Sequence, residues 1–165
     1  MPAFLVLVML EKLYGMAKGH DTVPLDDAVS SMSSGMTNVL KDVLGLSLSI
    51  ISYEWLVEHI ALIQIEHTIT VYIIAFIVID FYGYWSHRFS HKINLFWNEH
   101  VIHHSSEEFN LACALRQPIS TVVKFFTFLL IPAALVGVPA EVIAIILPLH
   151  LFMQFWYHTR HIGKL

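Results

Sequence analysis

The sequence is poor in charge and in cysteine, and each shortage excludes a class of protein. Only 13% of its 165 residues are charged and 56% are hydrophobic, whereas an ordinary soluble domain is about 25% charged. Its 9 lysines and arginines against 13 acidic residues give a net charge of −4 and no basic run, which argues against a nucleic-acid binder. The single cysteine, Cys113, excludes a disulfide scaffold. The mean hydropathy of +0.65 excludes disorder and indicates a membrane protein.

The sequence contains long apolar runs with few charged residues. About 20 apolar residues cross the ~30 Å core of a bilayer as a helix. Three runs reach this length: 67–87, 118–138 and 142–159. Before them lie a polar connection (11–42) and a mostly apolar stretch (43–63), which favours either an interfacial helix or a short crossing. We therefore predict an all-α integral membrane protein with a membrane-associated N-terminal region, 1–66, and a membrane domain, 67–165.

This topology brings distant histidines to one side of the membrane. The second and third runs form an out-and-back hairpin turned at Gly137, so His158 returns to the side that carries residues 87–104. Basic residues also gather on that side: Arg88, Lys92, Arg116, Arg160 and Lys164. The excess of positive charge predicts that this side, with a histidine-rich helical cap, faces the cytoplasm.

Histidine is the residue that the sequence has in excess, with 11 copies. Five of them fall in two boxes, HRFSH (His87 and His91) and HVIHH (His100, His103 and His104). Spacings of three and four residues place each group on one helix face, where imidazoles can reach one metal ion or a close pair of ions. Neutral imidazole suits iron, zinc and copper, and more than four nitrogen ligands exceed the tetrahedral shell of one zinc ion. We therefore predict two metal ions.

Polar residues near the boxes can accept a hydrogen bond from the far nitrogen of a metal-bound imidazole. Asp80 lies inside an apolar run, where an unpaired carboxylate is costly, and shares a helical face with His87. The alternative for Asp80 is a hydrogen bond to a neighbouring helix. Glu107 and Asn110 follow the second box and either serve the metal or belong to a solvated helix start.

Three other residues have roles that the sequence leaves open. His158 lies at the membrane surface with the boxes and is the stronger ligand candidate of the last run. His150 lies about two helical turns deeper and is the weaker one. Arg116 can orient an anionic headgroup or a cofactor, or form a surface ion pair.

A longer pattern around the boxes resembles a known family. It runs DFYGYWSHRFSHKINLFWNEHVIHHSSEEFNLACALRQP, with QFWYHT further on, and is similar to the fatty acid hydroxylase/sterol desaturase superfamily, above all to its alkylglycerol monooxygenase-like branch. The resemblance implies a non-haem di-iron centre that activates O2 and oxidises a C–H bond of a lipid. It implies these metal ligands, with no catalytic residue beyond them: His87, His91, His100, His103, His104 and His158. An electron donor is implied as well, for which the branch suggests tetrahydrobiopterin.

The pattern departs from the family at its end. The family carries a further HxxHH box after the segment similar to QFWYHT, and the sequence stops at Leu165 before one. We therefore expect a truncated or degenerate chain whose di-iron site is incomplete. Two alternatives to a lipid oxygenase stay open: a histidine-rich membrane protein that binds or transports zinc or copper, and a catalytically inactive fragment.

Overall fold

Two compact units make up the protein, and each is built from separated segments. The computed structural model describes residues 2–49, 51–63, 65, 68–118 and 123–163, which are mainly helical. The first unit comprises Met1–Leu46, Leu95–Thr121 and Gln154–Leu165, and the second comprises Ser47–Asn94 and Val122–Met153. The division of the sequence at residue 66 stays a prediction.

Two N-terminal helices frame the first unit: α1 (Pro2–Ala17) and α2 (Leu25–Val43). Acidic residues lie in the first turn of α2 and Lys41 in its last, where each charge opposes the end of the helix dipole. The helix ends in a Schellman motif, in which Gly45 has a φ of 67° and the amide of Leu46 donates to the carbonyl of Lys41. Glycine is suited to this position because it has no Cβ to clash in the left-handed conformation.

The core of the first unit joins the N-terminal helices to residues from much later in the chain. Its buried side chains are Val8, Val23, Ala28, Leu111, Ala112 and Phe155. The ring of Phe155 contacts the ring of Phe4 edge to face, with 4.9 Å between centroids. Burial of these apolar side chains therefore holds the loop after the second histidine box against α1 and α2.

Close packing of α2 against the 3-10 turn Cys113–Leu115 depends on Gly35. A Cβ atom at residue 35 would lie 2.9 Å from Leu115 O and 3.2 Å from Leu115 Cβ. We expect Gly35→Ala to lower the free energy of unfolding by about 1–3 kcal/mol, the usual cost of overpacking, although alanine is the better helix former. Thermal unfolding in detergent, followed by circular dichroism, measures the change. Ser33→Ala on the exposed face of α2 is the control, and unchanged stability of Gly35→Ala would contradict the close approach.

The second unit is built around α4 (Ile69–Lys92) and the larger part of α7 (Ala140–Phe155). Val71, Ala75 and Ile79 follow one another at four-residue spacing and form a fully buried stripe on α4. The core around this stripe is completed by Leu130, Ala133, Val138, Val142, Ile143 and Ile146. The opposite face of α4 carries exposed apolar side chains, as expected of a helix in lipid.

Two helical segments of the described chain are long and apolar enough to cross a membrane: Ile69–Lys92 and Ala140–His158. Their 24 and 19 residues correspond to about 36 Å and 28 Å of helix, against a bilayer core of about 30 Å. The predictions of helices in runs 67–87 and 142–159 are therefore confirmed.

The second predicted run, 118–138, does not form a spanning helix in its described part. It contains a 3-10 helix, Phe125–Leu130, followed by the five-residue α6 (Ile131–Leu135). Pro132 explains the break, because proline lacks the amide hydrogen that a continuous helix needs and can be accommodated only near a helix start. The prediction of a helical crossing here is wrong, so the first of the two helices of the predicted out-and-back hairpin does not form. The predicted turn is confirmed, with Gly137 at a φ of 71°.

The ambiguous stretch 43–63 is helical only in part. α3 (Tyr53–Ile60) begins after Ser52, whose hydroxyl accepts a bond from the amide of Trp55. Before it, β1 (Leu48–Ser49) pairs in parallel with β2 (Val123–Lys124), a two-residue exception to the predicted all-α fold.

Candidate metal centre

The first histidine box lies on the last turns of α4, in the second unit. His87 and His91 are both exposed, and their Nε2 atoms are 3.1 Å apart. Because α4 continues through Lys92, ordinary helix geometry places the two imidazoles one above the other. The prediction that these two histidines share one helix face is confirmed.

The histidines of the second box make two separate contacts, both within the first unit. The α-helix α5 (Asn94–His100) ends at the first histidine of the box, and a 3-10 turn carries the others. His104 Nε2 lies 3.2 Å from His100 Nε2. His103 is buried, and its Nε2 lies 3.2 Å from Nε2 of His158. The expectation of one helix face for all three histidines is therefore wrong, because the α-helix ends at His100 and the other two lie on the 3-10 turn after it. His104 still contacts His100, whereas Nε2 of His103 faces His158.

The three histidine pairs share one geometry. In His87–His91, His100–His104 and His103–His158, the two Nε2 atoms are 3.1–3.2 Å apart. Metal–nitrogen bonds of about 2.0–2.1 Å place two ligand nitrogens roughly 2.8–3.4 Å apart at right or tetrahedral angles. Imidazole nitrogen is also a donor that iron and zinc accept. The spacing and the chemistry of each pair therefore fit two ligands of one metal ion.

The tautomer of His103 is fixed by a backbone contact. Its Nδ1 lies 3.1 Å from the carbonyl oxygen of Arg116. A carbonyl oxygen only accepts, so Nδ1 carries the proton and Nε2 of the neutral ring carries the lone pair. That lone pair faces His158, whose ring stacks on Phe109 with 5.0 Å between centroids. His103 is thus oriented to bind a metal through Nε2.

A buried ion pair supports the carbonyl that His103 uses. Arg116 donates to Oδ1 of Asp27 at 2.6 Å and to its backbone oxygen at 3.1 Å, and both side chains are 9% exposed. Its guanidinium also donates to the hydroxyls of Ser31 and Ser105. The sequence left open a surface ion pair for Arg116, or a role in orienting an anionic headgroup or cofactor. The structure instead has a buried ion pair, through which the arginine joins α2 to the loop after the second box.

The one cysteine lies beside this network. The Sγ atom of Cys113 is buried and donates to the backbone oxygen of His103 at 3.6 Å. Burial raises the pKa of the Cys113 thiol, and this outweighs the lowering by Ser106 and Arg116. The thiol therefore helps to hold the backbone of His103.

Glu11 is a site-supporting residue that the sequence reading missed. It is 5% exposed, and one carboxylate oxygen accepts from the amide of Leu111 at 2.7 Å while the other accepts from Oγ1 of Thr159 at 2.5 Å. Leu111 belongs to the loop after His103, and Thr159 adjoins His158. Glu11 thereby ties together the two chain segments that supply the third histidine pair. The available signal was a carboxylate at the end of ten uncharged residues.

The predicted hydrogen-bonding partners of the metal ligands have diverse surroundings. Asn110 is fully buried, donates to the Thr22 carbonyl at 2.8 Å and accepts from the amide of Cys113 at 3.0 Å. These bonds shape the loop backbone. Glu107 is exposed. Asp80 lies 3.0 Å from Nε2 of His150, which realises the alternative of a bond to a neighbouring helix.

Comparisons with known proteins single out one family. The model of the fatty acid hydroxylase family matches residues 72–165, a range that includes both histidine boxes and His158. No solved structure matches the chain.

Curated relatives resemble the chain over nearly its whole length. It is 36% identical to alkylglycerol monooxygenase from Homo sapiens, over 99% of the chain and 37% of that protein. It is 31% identical to the protein of the same name from Xenopus tropicalis, over 98% of the chain and 36% of the relative. It is 30% identical to that from Caenorhabditis elegans, over 69% of the chain and 23% of the relative. The chain therefore spans less than two fifths of the length of these relatives.

Proposed function

Because the chain belongs to the fatty acid hydroxylase family, we propose that it supplies the histidine ligands of a membrane-bound, O2-dependent lipid monooxygenase. The observation that carries this proposal is the common geometry of the three histidine pairs, with Nε2 atoms 3.1–3.2 Å apart in each. Isolated histidines of an amphipathic surface have no reason to repeat this distance three times. The relatives named alkylglycerol monooxygenase favour a lipid as the substrate.

The proposed ligand set consists of the six histidines of the three pairs, holding two iron ions. Two ions are favoured by the resemblance to a superfamily of di-iron enzymes. Zinc also binds imidazole and is the expected contaminant after purification. For the electron donor we propose tetrahydrobiopterin, on the strength of the resemblance to the alkylglycerol monooxygenase-like branch.

The protein's own part in the reaction is to hold and orient its ligands. Iron bound there would activate O2 for insertion of an oxygen atom into a C–H bond of a lipid. The Arg116 carbonyl keeps the proton of His103 on Nδ1, so that Nε2 stays available as a ligand. Glu11 holds the segments of His103 and His158 together, and Phe109 covers one face of the His158 ring.

A cytoplasmic location of the boxes belongs to the same proposal. α4 carries His87 and His91 on its last turns, at one end of a candidate membrane-spanning segment. Arg88 and Lys92 beside this end favour the cytoplasmic side for the first box.

Iron content and oxygen insertion together test the proposal. The chain is purified from membranes in detergent, and its iron and zinc are counted by mass spectrometry. We expect about one to two iron ions per chain, lost in His103→Ala/His104→Ala and retained in the matched control His20→Ala/His59→Ala, whose histidines are exposed and outside the pairs. Incubation with an alkylglycerol, reduced tetrahydrobiopterin and 18O2 should then give an 18O-labelled product.

Each other outcome selects a competing function. Stoichiometric metal without label in the product would favour a histidine-rich metal-binding protein. The absence of bound metal after reconstitution with Fe2+ would favour a catalytically inactive fragment. Either result would overturn the proposed monooxygenase.

A further inference from the structure

A polar pair joins the two longest helices of the second unit, away from the histidine boxes. Oδ1 of Asp80, on α4, lies 3.0 Å from Nε2 of His150, on α7. The His150 side chain is 5% exposed and that of Asp80 70%, and Phe76 contacts the His150 ring edge to face. Both residues lie within candidate membrane-spanning segments, where polar groups are costly unless they are paired. None of the ligand roles proposed above uses this pair.

Helical geometry connects Asp80 to the first histidine box. His87 and His91 follow it by seven and eleven residues, and α4 is continuous from Ile69 to Lys92. At about 100° of rotation per residue, His87 lies about 20° to one side of Asp80 around the helix axis, and His91 lies about 20° to the other side. All three side chains therefore leave α4 in nearly the same direction.

A hydrogen bond fixes the rotation of a helix more strictly than apolar packing does. The buried stripe Val71, Ala75 and Ile79 attaches another face of α4 to the core through contacts that have little directional preference. The bond between Asp80 and His150 is directional, because hydrogen bonds weaken steeply when they bend. A small rotation of α4 would break it and would turn both histidines of the first box by the same angle.

We infer that Asp80 and His150 are positioning residues, whose hydrogen bond sets the rotation of α4 and so the direction of His87 and His91. This inference rests on the proposed role of those two histidines as metal ligands. Asp80 would thus act on the metal site through α4, the helix that it shares with His87 and His91, without touching the metal.

Binding of Co2+ to the metal-free chain tests the inference without an activity assay. Co2+ reports its nitrogen ligands and their geometry through its visible absorption bands. We expect Asp80→Ala and His150→Ala each to weaken Co2+ binding about 10-fold and to alter these bands, the usual scale for residues that orient metal ligands. The double variant should be no weaker than either single one, since both remove the same bond.

Two further variants separate positioning from a loss of stability. Asp80→Asn keeps an oxygen that accepts the bond from His150, so it should restore Co2+ affinity and spectrum to within about 3-fold of wild type. Ser90→Ala removes a hydroxyl that donates within α4 to the Ser86 carbonyl and should leave both unchanged. If Asp80→Ala fails to fold, the exchanged pair Asp80→His/His150→Asp replaces it, and recovery of binding there supports the inference.

The outcomes distinguish this inference from the proposed function. Wild-type affinity and spectrum in Asp80→Ala, with only the melting temperature lowered, would overturn positioning and leave the metal site intact. Additive losses in the double variant, or a folded exchanged pair that binds as weakly as the alanine variants, would also overturn it. Failure of the wild-type chain itself to bind Co2+ would overturn both.

Discussion

Asp27→Ala is expected to lower the free energy of unfolding by about 3–5 kcal/mol, the usual cost of leaving one member of a buried ion pair unpaired. Asp27 and Arg116 are each 9% exposed, so water cannot replace the lost carboxylate. The substitution also removes one of the two acceptors of the Ser106 hydroxyl, the other being the Glu108 carbonyl. Thermal or denaturant unfolding in detergent, monitored by circular dichroism, measures the loss.

The neighbouring residue provides the control for this effect. Asp26 is exposed and lies in the same first turn of α2, so Asp26→Ala removes the same favourable charge from the helix start. We expect Asp26→Ala to cost less than about 1 kcal/mol. The apolar pair Asp27→Leu/Arg116→Met should recover most of the stability, since it leaves no buried charge. Equal losses for Asp26→Ala and Asp27→Ala would contradict the buried ion pair.

His158→Ala is expected to weaken iron binding by about 100-fold or more and to abolish oxygen insertion. Removal of a group that merely orients a ligand already costs about 10–100-fold in metal affinity, and loss of a ligand should cost at least as much. The effect requires that the His103–His158 pair binds iron, as proposed. Iron content after dialysis against a chelator of known affinity, together with product formation, measures it.

A histidine three residues further on is the matched control. His161 is exposed and contacts Oγ1 of Thr22 at 3.2 Å, apart from the three histidine pairs. His161→Ala should retain iron and activity. Iron binding by His158→Ala that equals that of His161→Ala would exclude His158 from the ligand set.

Local spacing predicted those parts of the site that remain within one helix. His87 and His91 meet because α4 continues past both, so the four-residue rule applies without interruption. In the second box the rule holds for His104 beside His100, although α5 ends there, but the 3-10 turn that follows aims Nε2 of His103 at His158. Helix ends are set by the competition between local and tertiary contacts, which a spacing rule does not include.

Contacts between residues far apart in the chain could not be predicted from the sequence. The bonds of Glu11 reach residues 100 and 148 positions away, and Arg116 finds Asp27 across 89 positions. Composition alone places Glu11 at the start of a polar connection and Arg116 on a surface. The hydropathy of run 118–138 was similarly misleading, because Pro132 limits helix formation whatever the apolar content.

The bond between Glu11 and Thr159 has a consequence for the order of biosynthesis. Because it joins residues 148 positions apart, the ribosome must reach Thr159 before α1 acquires this partner. The core of the first unit waits equally long, since Phe155 belongs to it. By then both candidate membrane-spanning segments have been translated and, in a cell, can enter the bilayer. Closure around the His103–His158 pair thus depends on contacts of high sequence separation and follows the synthesis of both segments.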